Sequence, residues 1–153
     1  MRRSDKQITD QKLIDEILLN NTICRLALLD GERPYVIPMD YGYNNQTFYL
    51  HTATEGTKLE LINKNNNACI EVTDSIELLT SDKGCDFSTK YRSVICSGKV
   101  QPVLDFVQKV EGLKVILKQH TGKSDWNIPE AAVKSVVVLK LDIETITGKI
   151  SGF

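Results

Sequence analysis

Apolar residues recur along this chain at two different periods. Leu13, Ile14, Ile17 and Leu18 fall at helical spacing, and Ile8 and Leu13 flank Thr9 in the positions of a hydrophobic staple. A first helix is therefore expected with Thr9 as its cap, ending at Asn20-Asn21. The period then changes. Thr22 to Leu29 is β-rich and apolar, and Asp30-Gly31 behind it is a turn signal. Pro34 to Tyr43 reads as a second strand, broken or bent at Pro38, since proline within a sheet is confined to edges and bulges. Asn44-Asn45-Gln46 is the next turn, and Thr47 to Thr52 the third strand. Links this short suit antiparallel hairpins, because parallel neighbours need a long crossover.

Gly56 precedes a short helix with Leu59, Leu61 and Ile62 apolar. Ala68 to Val72 forms a fourth strand, which Ser75 to Leu79 extends or rejoins, and Thr80 to Lys90 is a polar loop. Tyr91 to Leu104 reads as a long fifth strand, with Gly98 marking a bulge or bend. Asp105 with Gln108 three residues on is a capping-box variant ahead of the stripe Phe106, Val110, Leu113 and Leu117, and Gly122 ends that helix. Pro129 opens one more helical turn, and Val136 to Ile146 is the sixth strand. Six strands with mostly antiparallel neighbours and peripheral helices predict a small closed barrel, because closure removes sheet edges. An open antiparallel sheet with helices on one face is the alternative. With no repeat or linker, residues 1–153 are expected to form one domain.

Composition narrows the function classes. At 41% hydrophobic and 25% charged residues the chain is an ordinary globular mixture. Its 19 basic and 20 acidic residues leave no basic excess, so no nucleic-acid partner is expected. No apolar run approaches the roughly 18–20 residues of a membrane span, and the opening residues lack the apolar segment of a secretory signal. The expected location is the cytoplasm, with Cys24, Cys69, Cys85 and Cys96 reduced and without C-x-x-C spacing.

Neither common nucleotide cradle is present, nor a zinc-binding H-E-x-x-H or a G-x-S-x-G elbow. One local arrangement carries chemistry. The strand Tyr49-Leu50-His51-Thr52 runs into Ala53-Thr54-Glu55-Gly56-Thr57-Lys58-Leu59, a loop and helix start. Free backbone N–H groups, a hydroxyl and an ammonium there suit a phosphate; equally, Thr54 caps the helix and Lys58 is a solvated charge. His51 is either an ordinary strand-end residue or a group at the mouth of the same site. Pro38 is either an edge-strand proline or a bend that lets a planar ligand approach main-chain groups of the segment Tyr35 to Tyr43.

At these residues the chain resembles the FMN-binding split-barrel superfamily that includes pyridoxamine 5'-phosphate oxidase, and more closely its nitroimidazole-resistance branch. The matching stretches are Arg2-Arg3 with Ile8-Thr9-Asp10; Cys24 to Leu28 with Pro34 to Pro38; Phe48 to Ala53 with Gly56 to Leu59; Cys85-Asp86-Phe87 with Tyr91 to Ile95 and Gly98; and the tail Leu141 to Lys149. The resemblance implies a mainly β, six-stranded antiparallel split barrel, a homodimer with FMN at the subunit interface, and a small-molecule substrate. It implies that Thr57 and Lys58 bind the phosphate, that Ile37, Pro38, Met39 and Asp40 border the isoalloxazine ring, and that Leu50, His51 and Thr52 lie on the strand beside it. Tyr91, Arg92 and Ser93 match a segment near the cofactor, from the same chain or the partner. The oxidases carry an arginine where this chain has Thr57, and another near Ile37, so vitamin B6 is not the expected substrate.

The expectation is an FMN-dependent oxidoreductase reducing a small acceptor, such as a 5-nitroimidazole or another nitroaromatic, with His51 polarising or protonating substrate. The alternatives are a non-catalytic dimer that holds flavin or haem, with His51 or His120 as axial ligand, and a structural or regulatory dimer with a vacant site.

Overall fold

The computed structural model describes residues 3–153, and its seven strands form one antiparallel sheet that closes on itself. The strands are β1 (Gln7–Ile8), β2 (Ile23–Asp30), β3 (Arg33–Asn44), β4 (Thr47–Thr52), β5 (Asn67–Leu79), β6 (Ser88–Pro102) and β7 (Val137–Ser151). The ring runs β7-β4-β3-β2-β5-β6 and back to β7, so six strands make the barrel and the open-sheet alternative is not formed. The seventh, β1, pairs only with Gly148 and Lys149 of β7. The helices are α1 (Gln11–Leu19), α2 (Thr57–Lys64), α3 (Phe106–Thr121) and α4 (Glu130–Lys134).

Period-two alternation builds the core. Tyr41, Phe48, Leu50, Ile70, Val94, Leu139 and Leu141 point inward and are fully buried, joined by Ile17 and Leu18 of α1. The Tyr41 hydroxyl donates to the Leu18 carbonyl at 2.6 Å, so its buried polar atom is satisfied. On the outside, α3 lies against β3, β4 and β7. Gly42 permits that approach: a Cβ there would sit 2.6 Å from the Ile116 backbone nitrogen.

Several boundaries differ from the sequence reading. Asp10, not Thr9, caps α1 and accepts from the Lys12 N–H at 2.9 Å; Ile8 just before is drawn into β1. β3 continues through Pro38, which pairs with Arg25 where β3 has β2 on one side and no strand on the other, so the missing N–H breaks no second ladder. β5 is one strand through Leu79, with a register shift between Asp74 and Glu77 and Ser75 at φ 53°. β6 begins at Ser88 and ends at Pro102, and β7 runs on to Ser151 because β6 continues to pair with it. The Gly98 irregularity lies where expected. Arg2, in the first matching stretch, falls outside the described residues.

Candidate active site

The outward faces of β3 and β4, the start of α2 and the residues leading into β7 enclose an open cleft of about 570 Å³. On β4, Phe48, Leu50 and Thr52 are buried while Tyr49 and His51 are half-buried, so His51 takes the outer face. Alternation on β3 sets Pro38 and Asp40 outward in the same way. The β3–β4 hairpin and the loop after β4 thus bring Pro38, Met39, Asp40, His51, Thr52 and Lys58 to one wall. Six of the sequence-derived residues meet there.

The others do not line this cleft. Leu50 is fully buried, and Ile37 packs against the core. Thr57 is exposed beside Lys58 at the head of α2. Tyr91, Arg92 and Ser93 lie on β6, across the sheet: Pro38 pairs with Arg25, Arg25 with Glu71 and Glu71 with Ile95. Counted along the curved sheet, three strand spacings of ~4.8 Å separate that segment's strand from β3 by about 14 Å. The reading of the sequence missed Ala53, Glu55, Ser135 and Val136, which complete the lining.

His51 Nδ1 is buried and has no hydrogen-bond partner among the described residues. A buried polar atom left unpaired is costly, so an orphan on a cleft wall points to a ligand. At the head of α2 the cap is Gly56, at φ 126°, in a left-handed region that glycine tolerates. Thr54 does not cap the helix, since no side chain bonds there. The Gly56 carbonyl accepts from Leu59 and Glu60 at 3.0 and 3.3 Å, while the Thr57 and Lys58 amides have no backbone partner among the described residues. Lys58 is half-buried, Asp40 and Glu55 are exposed, and none of the three has an ion-pair partner among the described residues.

On β6, alternation separates Arg92 from Tyr91 and Ser93. The Arg92 guanidinium donates to both oxygens of Asp74 at 2.9 and 2.7 Å and to Glu16 at 2.9 Å, tying α1, β5 and β6 together. Hydrogen bonds to Asp74 raise its pKa further above the ordinary arginine value. The Lys149 ammonium lies over the Tyr91 ring, 5.2 Å from its centroid. Burial pushes the Cys24 and Cys96 thiols up to about 12, so neither is a ready nucleophile. Among the described residues no cluster of three or more His, Cys, Asp or Glu could hold a metal, and no helix is long and apolar enough to cross a membrane.

Residues 10–150 match the family described as pyridoxamine 5'-phosphate oxidase, and the chain belongs to that family of split barrels. Among solved structures, a candidate 5-nitroimidazole antibiotic resistance protein from Bacteroides thetaiotaomicron is 34% identical, with 94% of this chain and 86% of that chain covered at a TM-score of 0.84. The sequence resemblance to the nitroimidazole-resistance branch agrees with this. The flavocytochrome Anf3 of Azotobacter vinelandii (17% identity, 100% and 72% covered, TM-score 0.85) shares the fold. So does an FAD- and haem-binding protein of Mycobacterium smegmatis (18%, 97% and 74% covered, TM-score 0.86). No curated protein matches the chain.

Proposed function

We propose that this protein is a homodimeric, FMN-dependent oxidoreductase that reduces a small acceptor of the nitroaromatic class. The observation that carries this reading is the meeting, on one cleft, of an uncapped helix start bearing Lys58 with an orphaned buried His51 Nδ1. The donor set fits the cofactor. Two unpartnered amides, the Thr57 hydroxyl and the Lys58 ammonium suit a phosphate monoester, and Pro38, Met39 and Asp40 offer an extended main-chain edge to a flat ring. Lys58 is the single lysine or arginine on the lining among the described residues, so the phosphate is held by fewer positive charges than an arginine-rich site would supply.

When bound, FMN supplies the electron transfer. The protein holds it and arranges what surrounds it. Lys58 and the head of α2 anchor the phosphate. Thr52 and the Pro38–Asp40 edge border the ring, with Leu50 and Ile37 packed behind that wall. The His51 imidazole, on the cleft wall, carries the proton that the reduced acceptor takes up.

In this reading the site draws on two chains, because Tyr91 and Ser93 lie on β6, three strands across the sheet from β3, and are absent from the cleft that Lys58 lines. The outer face of β2, β3, β5 and β6 carries Ile23, Val36 and Ile95 at 45%, 56% and 45% exposure. A second copy covering this face would bury them and bring Tyr91 and Ser93 of the partner subunit to the ring's edge. Arg92, held by Asp74 and Glu16, fixes that strand.

The test is anaerobic stopped-flow. FMN-loaded protein reduced with dithionite, then mixed with a 5-nitroimidazole, should reoxidise, and His51→Ala should slow that step by about 10²–10⁴ with FMN affinity changed only a few-fold. Reduced protein that does not react with nitroaromatics would overturn the activity. A Soret band lost in His51→Ala would favour a haem protein instead; His120 is exposed on α3 and absent from the cleft lining.

A further inference from the structure

We infer that Asp40 and Glu55 make this cleft select cationic and neutral acceptors over anionic ones, an inference that rests on the flavin reading above. Both carboxylates line the cleft, both are exposed, and neither has an ion-pair partner among the described residues. Of the neighbouring cations, Arg25 and Lys134 are matched by carboxylates, and Lys109 donates to the Val136 carbonyl behind the lining at 2.9 Å. Arg25, paired with Pro38 across the ladder, lies 3.7 Å from Glu71. Lys134, adjacent to Ser135 on the cleft wall, lies 2.5 Å from Glu130. Among the described residues Lys58 is the one lysine or arginine on the lining, and it stands at the head of α2, where the phosphate is proposed to sit.

With Lys58 facing a phosphate, the space left for an acceptor is bordered by two carboxylates and His51. A carboxylate or phosphate ester entering it meets like charge, with Lys58 taken up by the phosphate and Lys109 off the lining, bonded to the Val136 carbonyl. An amine or amidine meets two acceptor groups. Exposure to water limits each carboxylate to an effect of a few-fold, increasing where the bound ring and a second chain exclude solvent. This chain therefore differs in charge logic from a site that reads a phosphorylated substrate.

The experiment uses FMN-saturated protein and three 5-nitroimidazoles differing only in the N1 substituent: 2-aminoethyl, 2-hydroxyethyl and carboxymethyl. The readouts are the second-order rate constant for reoxidation of dithionite-reduced protein by each acceptor and the Kd of the corresponding imidazoles lacking the nitro group. Wild type should favour the cation over the anion by about tenfold or more at low salt, and 0.5 M NaCl should compress that ratio. Asp40→Asn and Glu55→Gln should each lower the cation-to-anion ratio about threefold, and the double variant should bring it near one. The ratio is taken within each variant, so changes in loading or intrinsic rate cancel. A ratio unchanged in the double variant overturns the inference while leaving the flavin reading intact. Wild-type protein that binds no FMN overturns both.

Discussion

Replacing Lys58 with alanine isolates the phosphate anchor from everything else in the cleft. The lysine is half-buried at the first turn of α2, and it makes no ion pair with any described residue. Its removal therefore disconnects nothing in the folded chain, and the thermal midpoint should move little. What it removes is a charge-assisted hydrogen bond to the cofactor phosphate, about 1.5–3 kcal/mol. At about 1.4 kcal/mol per decade, FMN affinity should fall roughly tenfold to a hundredfold. The remaining affinity would come from the Thr57 and Lys58 amides, which the substitution leaves in place. Riboflavin, lacking the phosphate, supplies the control: it should bind wild type and Lys58→Ala equally. The assay is quenching of flavin fluorescence, titrated with both ligands against both proteins. Equal loss for FMN and riboflavin would mean that the substitution distorts the ring site. Unchanged FMN affinity would return Lys58 to the status of a solvated charge.

Asp74→Ala should cost about 1.5–3 kcal/mol in urea unfolding, since the Arg92 and Asp74 side chains are only 15% and 13% exposed and the guanidinium would keep only Glu16; a loss below about 0.5 kcal/mol would class the pair with surface salt bridges. Gly42→Ala should destabilise by at least about 1–3 kcal/mol, because its Cβ would meet backbone atoms of Ile116 at 2.6–2.7 Å and α3 must shift; an unchanged urea midpoint would refute that contact. Cys24 and Cys96 set an alkaline limit. Burial raises both thiols from 9.0 to about 12, so the folded chain retains protons that the unfolded chain releases. Their contribution is complete below pH 9 and is lost as pH rises toward 12, with a slope of about 1.4 kcal/mol per pH unit per thiol. Replacing both with alanine should flatten the fall in stability between pH 9 and 10, read from urea midpoints; an unchanged slope would contradict it.

What could be read from the chain alone was local. The β3–β4 hairpin follows from Asn44-Asn45-Gln46, and the structure puts Asn45 and Gln46 at φ 48° and 61°, the left-handed pair that joins twisted strands. The strand-loop-helix after Thr47 is likewise contiguous, which is why Pro38, His51 and Lys58 could be grouped before any coordinates. Ser135 and Val136 could not, because they reach the cleft from a distant part of the chain through α4. β1 is two residues long and carries no periodicity, and the end of β7 is defined by its partner strands rather than by its own residues. Ring closure through β6 and β7 was inferable only from the need to remove edges. Arg92 is different in kind. Alternation along β6 already separates it from Tyr91 and Ser93, and a strict reading of that period would have set the three apart. Glu55 stood in the loop under discussion, and only its position on the cleft wall gives its charge a role.

The central claim is that this barrel holds FMN in a site completed by two chains. Sedimentation equilibrium of the protein titrated with FMN, monitored in the flavin absorbance band, tests it most directly. The account predicts a dimer that carries one FMN per chain, with flavin absorbance sedimenting only with the dimer and its fluorescence quenched. A monomer that binds FMN with full affinity, or a dimer with which no flavin co-sediments, would contradict it.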